Sequence, residues 1–104
     1  NHPPYAAGFS ILGKNIQPYH YMIAFFGGKD VKCTKFALPG SKKLSQYVIL
    51  ALKNRKACLL ANHGSVIVGE NFEETIDLTQ ELETLCKQIT IARISGHPKL
   101  VSRR

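Results

Sequence analysis

No stretch of this sequence is apolar over the roughly 20 residues that a membrane-crossing helix needs, and its start has no signal-peptide pattern. A membrane partner is therefore excluded. Cysteine is scarce: Cys33, Cys58 and Cys86 are odd in number, widely spaced and form no Cys-x-x-Cys pair. That excludes a disulfide framework and a zinc knuckle, and points to reduced, mostly buried thiols of a cytoplasmic protein. Internal repeats, linkers and low-complexity tracts are missing as well. Methionine occurs once, at Met22, so the sequence opens on Asn1 with no initiator. Its 104 residues suffice for one core, hence one domain or part of a larger one.

Acidic residues are few and confined. Six of the seven fall between Glu70 and Glu83, only Asp30 lies elsewhere, and all fourteen Lys and Arg lie outside that window. The net charge of +7 thus spreads over a basic surface with one acidic helical face. Such a surface favours anionic small molecules such as sugar phosphates. The basic residues come in ones and twos, without an arginine-rich helix or interleaved aromatics, so nucleic acid is not an expected partner.

The apolar pattern and its punctuation predict alternating elements. Pro3 and Pro4 suit a helix start, with a short helix from Tyr5 to Leu12 stopped by Gly13. The aromatic run Tyr19 to Phe26, closed by Gly27-Gly28, fits either a buried helical turn or a strand. Val31 to Ala37 alternates and reads as a strand. Ser41 caps a helix to about Asn54, with Leu44, Val48 and Leu52 along one face. Ala57 to Ala61 is a strand, Asn62-His63-Gly64 a tight turn, and Ser65 to Val68 the returning strand. Asn71 and Glu74 form a capping-box pattern for a last helix. Ile76, Leu82, Leu85, Ile89 and Ala92 are its expected buried face, with the acidic residues outside. Gly96 and Pro98 end it.

Two histidines stand out against this frame. His2 lies just before the first helix and His63 in the tight turn, and paired neutral imidazoles are typical of a zinc site. They are one ligand short of the three that a catalytic site usually has. Taken singly, His2 also fits a surface histidine at a terminus, and His63 a turn residue bonding to backbone. Tyr21 also fits an aromatic core cluster with Tyr19, Phe25 and Phe26, and His20 either packs or positions Tyr21.

Four motifs in order carry a family resemblance: Asn1-His2-Pro3-Pro4-Tyr5-Ala6-Ala7, Pro18-x-His20-Tyr21-Met22-Ile23-Ala24, Gly27-Gly28, and Leu59-Leu60-x-Asn62-His63-Gly64. Together they resemble the class II aldolase/adducin family, most of all its branch acting on L-fuculose 1-phosphate. The resemblance implies an α/β fold. It is a three-layer α/β/α domain with a largely antiparallel central sheet, of which residues 1–104 are the C-terminal part.

The resemblance also implies a site. His2 and His63 match two of three histidines that hold Zn²⁺, the third standing immediately before Asn1. Tyr21 matches a tyrosine that protonates or stabilises the leaving aldehyde's oxygen. The implied reaction is zinc-dependent cleavage of a phosphorylated ketose to dihydroxyacetone phosphate and an aldehyde, in a cytoplasmic homotetramer with sites between subunits. The family's catalytic glutamate and phosphate-binding residues have no counterpart in the chain, so these residues alone are expected to be inactive. The isolated piece is also expected to expose sheet edge and apolar surface and to need its upstream half for stability. Glu70 and Glu73 suit the helix start rather than a base. A sister 4-epimerase or dehydratase, and a non-catalytic adducin-like interaction domain, are the alternative readings.

Overall fold

The computed structural model describes residues 2–101. Its centre is the strand β2 (Ala57–Leu60), buried along its whole length. Side chains alternate across a strand, so Ala57 and Leu59 enter one core and Cys58 and Leu60 another. On the first side lie α1 (Pro4–Ile11), the 3-10 helix Tyr21–Phe26 and α3 (Phe72–Ser95). Phe9, Phe26, Leu82 and Leu85 fill that core with Ile16 and Val31. On the other side lies α2 (Lys42–Ala51), contributing Leu44 and Ala51. The α/β/α layering is the one expected.

The sheet within it is small and mixed. β1 (Lys32–Thr34) pairs parallel to β2 in the register Lys32↔Cys58 to Thr34↔Leu60. A parallel neighbour needs a crossover, and α2 provides it. β2 pairs antiparallel with β3 (Gly64–Ile67), from Ala57↔Ile67 to Leu60↔Gly64, through the turn carrying Asn62 and His63. β1 is shorter than the predicted Val31 to Ala37 because β2 runs out at Leu60. Val31 instead forms an isolated bridge to Ile16, and the Cys33 N–H donates to Asn15 Oδ1 at 2.8 Å.

The local signals acted largely as read. Pro4 opens α1, and Gly13 follows it at φ +66. Ser41 Oγ accepts the Leu44 N–H at 3.1 Å, although α2 stops at Ala51, before a left-handed Asn54. The aromatic run is helical: His20 Nδ1 accepts the Met22 N–H at 3.2 Å, and Gly27 ends the turn at φ +92. A Cβ on Gly27 would sit 2.9 Å from the Asn54 carbonyl oxygen, so this crossing needs glycine twice over.

Two readings of α3 are corrected. Asn71 Oδ1 accepts the Glu74 N–H at 2.8 Å, but Glu74 returns to the Glu70 N–H at 3.0 Å rather than to Asn71. The buried stripe is Leu78, Leu82, Leu85, Cys86 and Ile89. Ile76 is 41% exposed, because two residues on from it, Leu78 lies about 200° round the helix and takes the inward position. Glu81 and Glu83 are half-buried, not aligned on the outer face. Cys58 and Cys86 are buried and Cys33 half-buried, all with free thiols. Burial pushes the Cys58 and Cys86 thiols up to about 12.

Asp30 ties the glycine crossing down. Its Oδ1 accepts Arg55 Nη2–H at 2.7 Å, and its Oδ2 accepts from Lys32 Nζ at 3.1 Å. Burial raises the carboxyl's pKa, but the hydrogen bonds from Arg55 and Lys32 outweigh it and hold the group below its ordinary value. A depressed folded pKa adds stability above the unfolded value, and that stability is lost as pH falls through the folded one. Asp30→Asn should therefore cost about 1–3 kcal/mol at neutral pH. In urea melts across an acid series, the wild type should lose that advantage below about pH 4.

Candidate metal centre

α1 begins two prolines after His2, and the β2–β3 turn carries His63. α1 packs on the same core as β2 and across α3. The His2 and His63 rings meet there, stacked with centroids 4.8 Å apart and planes inclined by 19°.

The environment of His63 is specific. Asn62 takes the left-handed conformation at φ 59, which asparagine tolerates, and so turns the chain sharply into His63. The turn is bonded to α1: the Asn62 N–H donates to the Ser10 carbonyl at 2.9 Å, and the His63 N–H to Ser10 Oγ at 3.2 Å. Ser10 Oγ itself donates to the Ala7 carbonyl at 2.6 Å. The ring is treated differently from the backbone. His63 Nδ1 is buried with no hydrogen-bond partner among the described residues. Nδ1 therefore makes none of the backbone bonds that the turn-residue alternative would give this ring.

A buried ring nitrogen left unpaired costs about 1–3 kcal/mol, and a cation or a donor from outside these residues relieves that cost. Neutral nitrogen donors also suit a divalent ion whose charge is to remain available. The two residues fit zinc on these grounds. No third His, Cys, Asp or Glu joins them among the described residues.

Tyr21 lies apart. It is 71% exposed on the 3-10 helix, so the aromatic-core alternative does not hold for it. The His20 ring lies tilted beside it, with centroids 4.7 Å apart, while His20 Nδ1 caps the helix that carries Tyr21. Tyr21 borders a hollow of about 310 Å³ with Pro18, Ile23, Lys29 and Val101. The two histidines do not border it. The structure brings the imidazoles together, and Tyr21 borders a hollow that neither His2 nor His63 lines.

Two contributors escaped the sequence reading. Ser10 fastens the His63 turn, and Glu83 accepts the Tyr5 and Ala6 N–H groups at the start of α1. Only the missing side-chain cap after Pro3-Pro4 hinted that a distant acceptor was needed. Glu70 and Glu73 are exposed beside the start of α3, the structural place expected for them.

Comparison with known proteins follows the same geometry. Residues 1–90 match the profile of the Class II Aldolase and Adducin N-terminal domain. The L-fuculose phosphate aldolase of Escherichia coli (strain K12) is 42% identical over 87 residues, which are 84% of this chain and 40% of the relative. The 5-methylthioribulose-1-phosphate/5-deoxyribulose-1-phosphate aldolase of Rhodospirillum rubrum is 38% identical over 87 residues, 84% of this chain and 39% of the relative. A solved L-fuculose 1-phosphate aldolase superposes with a TM-score of 0.92 at 33% identity, covering 97% of this chain and 47% of that one. The chain therefore spans less than half the length of the relatives it matches.

Ser10→Ala removes, at a fully buried residue, one of the two acceptors of the His63 N–H, the other being the Leu60 carbonyl at 3.0 Å. It should cost about 0.5–1.5 kcal/mol in a denaturant melt, the net worth of one hydrogen bond, because the Leu60 carbonyl still accepts. Amide exchange at His63 should quicken more than at Cys58 or Leu59. Unchanged exchange at His63 would show that the turn holds itself.

Proposed function

This chain belongs to the class II aldolase and adducin family, and from that premise we propose that it is the C-terminal part of a metal-dependent aldolase domain. The reaction is cleavage of a ketose 1-phosphate, L-fuculose 1-phosphate or a close analogue, to dihydroxyacetone phosphate and an aldehyde. The observation that carries this reading is the stacked His2–His63 pair with its unpartnered buried nitrogen. Adducin-like scaffolding would not need the two rings to meet.

His2 and His63 are the residues that would hold Zn²⁺. When bound, the ion supplies Lewis acidity that offsets the negative charge developing on substrate oxygen as the carbon–carbon bond breaks. Being neutral, the two imidazoles leave that charge undiminished, where thiolates would cancel it. The Ser10 bonds hold the His63 backbone without using its ring, so Nδ1 stays free for coordination. Tyr21 would hydrogen-bond the hydroxyl oxygen that becomes the aldehyde oxygen: in cleavage that oxygen gives up its proton, and in the reverse condensation the phenol supplies one. Its exposure, in a hollow that neither His2 nor His63 lines, is explained if it serves the site of a neighbouring subunit in a homotetramer. The reduced cysteines suit a cytoplasmic enzyme, and no described helix is long and apolar enough to cross a membrane. The remaining ligand, the base and the phosphate-binding groups belong to sequence upstream of the described residues. Large exposed apolar side chains such as Ile11, Leu12 and Ile94 fit a domain that such sequence completes.

A second substrate is favoured by the relatives. Two kinds of aldolase match at similar strength, and the second is named for 5-methylthioribulose and 5-deoxyribulose 1-phosphates. All these compounds share a phosphorylated end and differ at the end that leaves as the aldehyde. Release of dihydroxyacetone phosphate from each, followed with the whole protein, ranks them. No release from any would refute the aldolase reading.

In the whole protein, metal analysis should find about one zinc per subunit, and His63→Ala should abolish it. Unchanged occupancy in that variant would sink the ligand assignment. Tyr21→Phe should keep the metal and the fold but lower kcat about 10²–10⁴-fold, the usual range for a lost acid–base group.

A further inference from the structure

The N-terminus of α1 is an unusual one. Its N-cap is Pro3, with no side-chain hydrogen bond, and Pro4 is its first helical residue. A helix start normally leaves its first N–H groups without intrahelical partners. Here two of those groups do not exist, because both positions are proline. The Ala7 N–H already reaches the Pro3 carbonyl at 2.8 Å. That leaves two donors, Tyr5 and Ala6, and one carboxylate takes both. The Tyr5 N–H donates to Glu83 Oε2 at 2.9 Å, and the Ala6 N–H to Glu83 Oε1 at 2.8 Å.

We propose that Glu83 is a positioning residue for the metal centre: by gripping the Tyr5 and Ala6 amides it fixes where His2 stands against His63. This rests on the reading of the two histidines as metal ligands. Three observations connect the grip to the ligand. Ala6 is fully buried, so its N–H has no solvent to fall back on. A carboxylate at a helix N-terminus also meets the positive end of the helix dipole, which strengthens both bonds. Between Tyr5 and His2 stand only Pro3 and Pro4. Proline holds φ near −65°, and Pro3 has φ −63, so the link is a short stiff strut rather than a hinge. An amide held at Tyr5 is thus transmitted to the ring at His2.

The other end of the same helix completes the device. Ser10 fastens the His63 turn to α1 through its carbonyl and hydroxyl. α1 is therefore tied near its C-terminal end to the backbone of the His63 turn and leads at its N-terminal end to His2, and Glu83 is its anchor on α3. Partners that orient ligands are worth 10- to 100-fold in metal affinity in characterised sites.

The test compares Glu83→Gln with Ser41→Ala in the whole protein. The glutamine keeps the shape but offers one acceptor where two N–H groups need one each. Ser41→Ala removes the cap of α2, on the opposite face of the sheet, and so reports loss of stability without loss of the grip. Zinc affinity by chelator competition should fall roughly 10- to 100-fold in Glu83→Gln and stay within about twofold of wild type in Ser41→Ala. Proton cross-relaxation between the His2 and His63 rings should weaken in Glu83→Gln alone. Wild-type affinity and ring contact in Glu83→Gln would overturn the proposal, as would equal losses in both variants. If the unaltered protein takes up no zinc, the ligand reading falls, and the ring contact by itself still decides the positioning role. Should Glu83→Gln fail to fold, Glu83→Asp carries the same comparison: the withdrawn carboxylate should weaken affinity in the same direction, and wild-type affinity would overturn the role.

Discussion

Burial of β2 on both faces is the constraint that the other elements answer to. Four consecutive residues, Ala57 to Leu60, are enclosed, and a strand can be enclosed only if something covers each side and something pairs each edge. β1 and β3 supply the edges, α2 one cover, and α1 with α3 the other. The alternation of side chains fixes the register, because a slip of one residue would move Leu59 out of one core and Leu60 out of the other. The turn at Asn62-His63 leaves from this fixed strand, so His63 inherits a definite place.

Polar bonds then refine what apolar packing has roughly set. Packing of Phe9 and Ala6 against Leu82, Leu85 and Ile67 brings α1 to the sheet, yet hydrophobic contact is tolerant of a sliding helix. Directional bonds are not. Glu83 at one end of α1 and Ser10 at the other allow one position along its axis. The two imidazoles meet beside that fastened segment, which is how residues 61 positions apart come to stack.

Much of this was legible in the sequence, and the exceptions share a cause. Caps at Ser41 and Asn71, the stop at Gly13, the β2–β3 hairpin and the two histidines all show themselves within a few residues. The aromatic run at Tyr21–Phe26 stayed ambiguous because its apolar density hides any period. It became a 3-10 helix through the bond from the Met22 N–H to His20 and the tight passage at Gly27. The length of β1 depended on where its partner ended, and the choice of Leu78 over Ile76 on which face α1 would meet. Glu83 was hidden for the same reason. Its partners lie 77 and 78 residues away, and by its neighbours it belonged to an acidic helix surface. At Tyr21, the motif pointed to the residue but not to its direction, which is outward.

That wide separation has a temporal side. A chain is made from its N-terminus at about 5–20 residues per second. Tyr5 and Ala6 therefore wait roughly 4–16 seconds before the carboxylate that receives them has been made. During that interval the hairpin can close, since its pairing is local, but the segment behind His2 has no fixed seat. The ring pair is thus among the last features to form in the nascent protein.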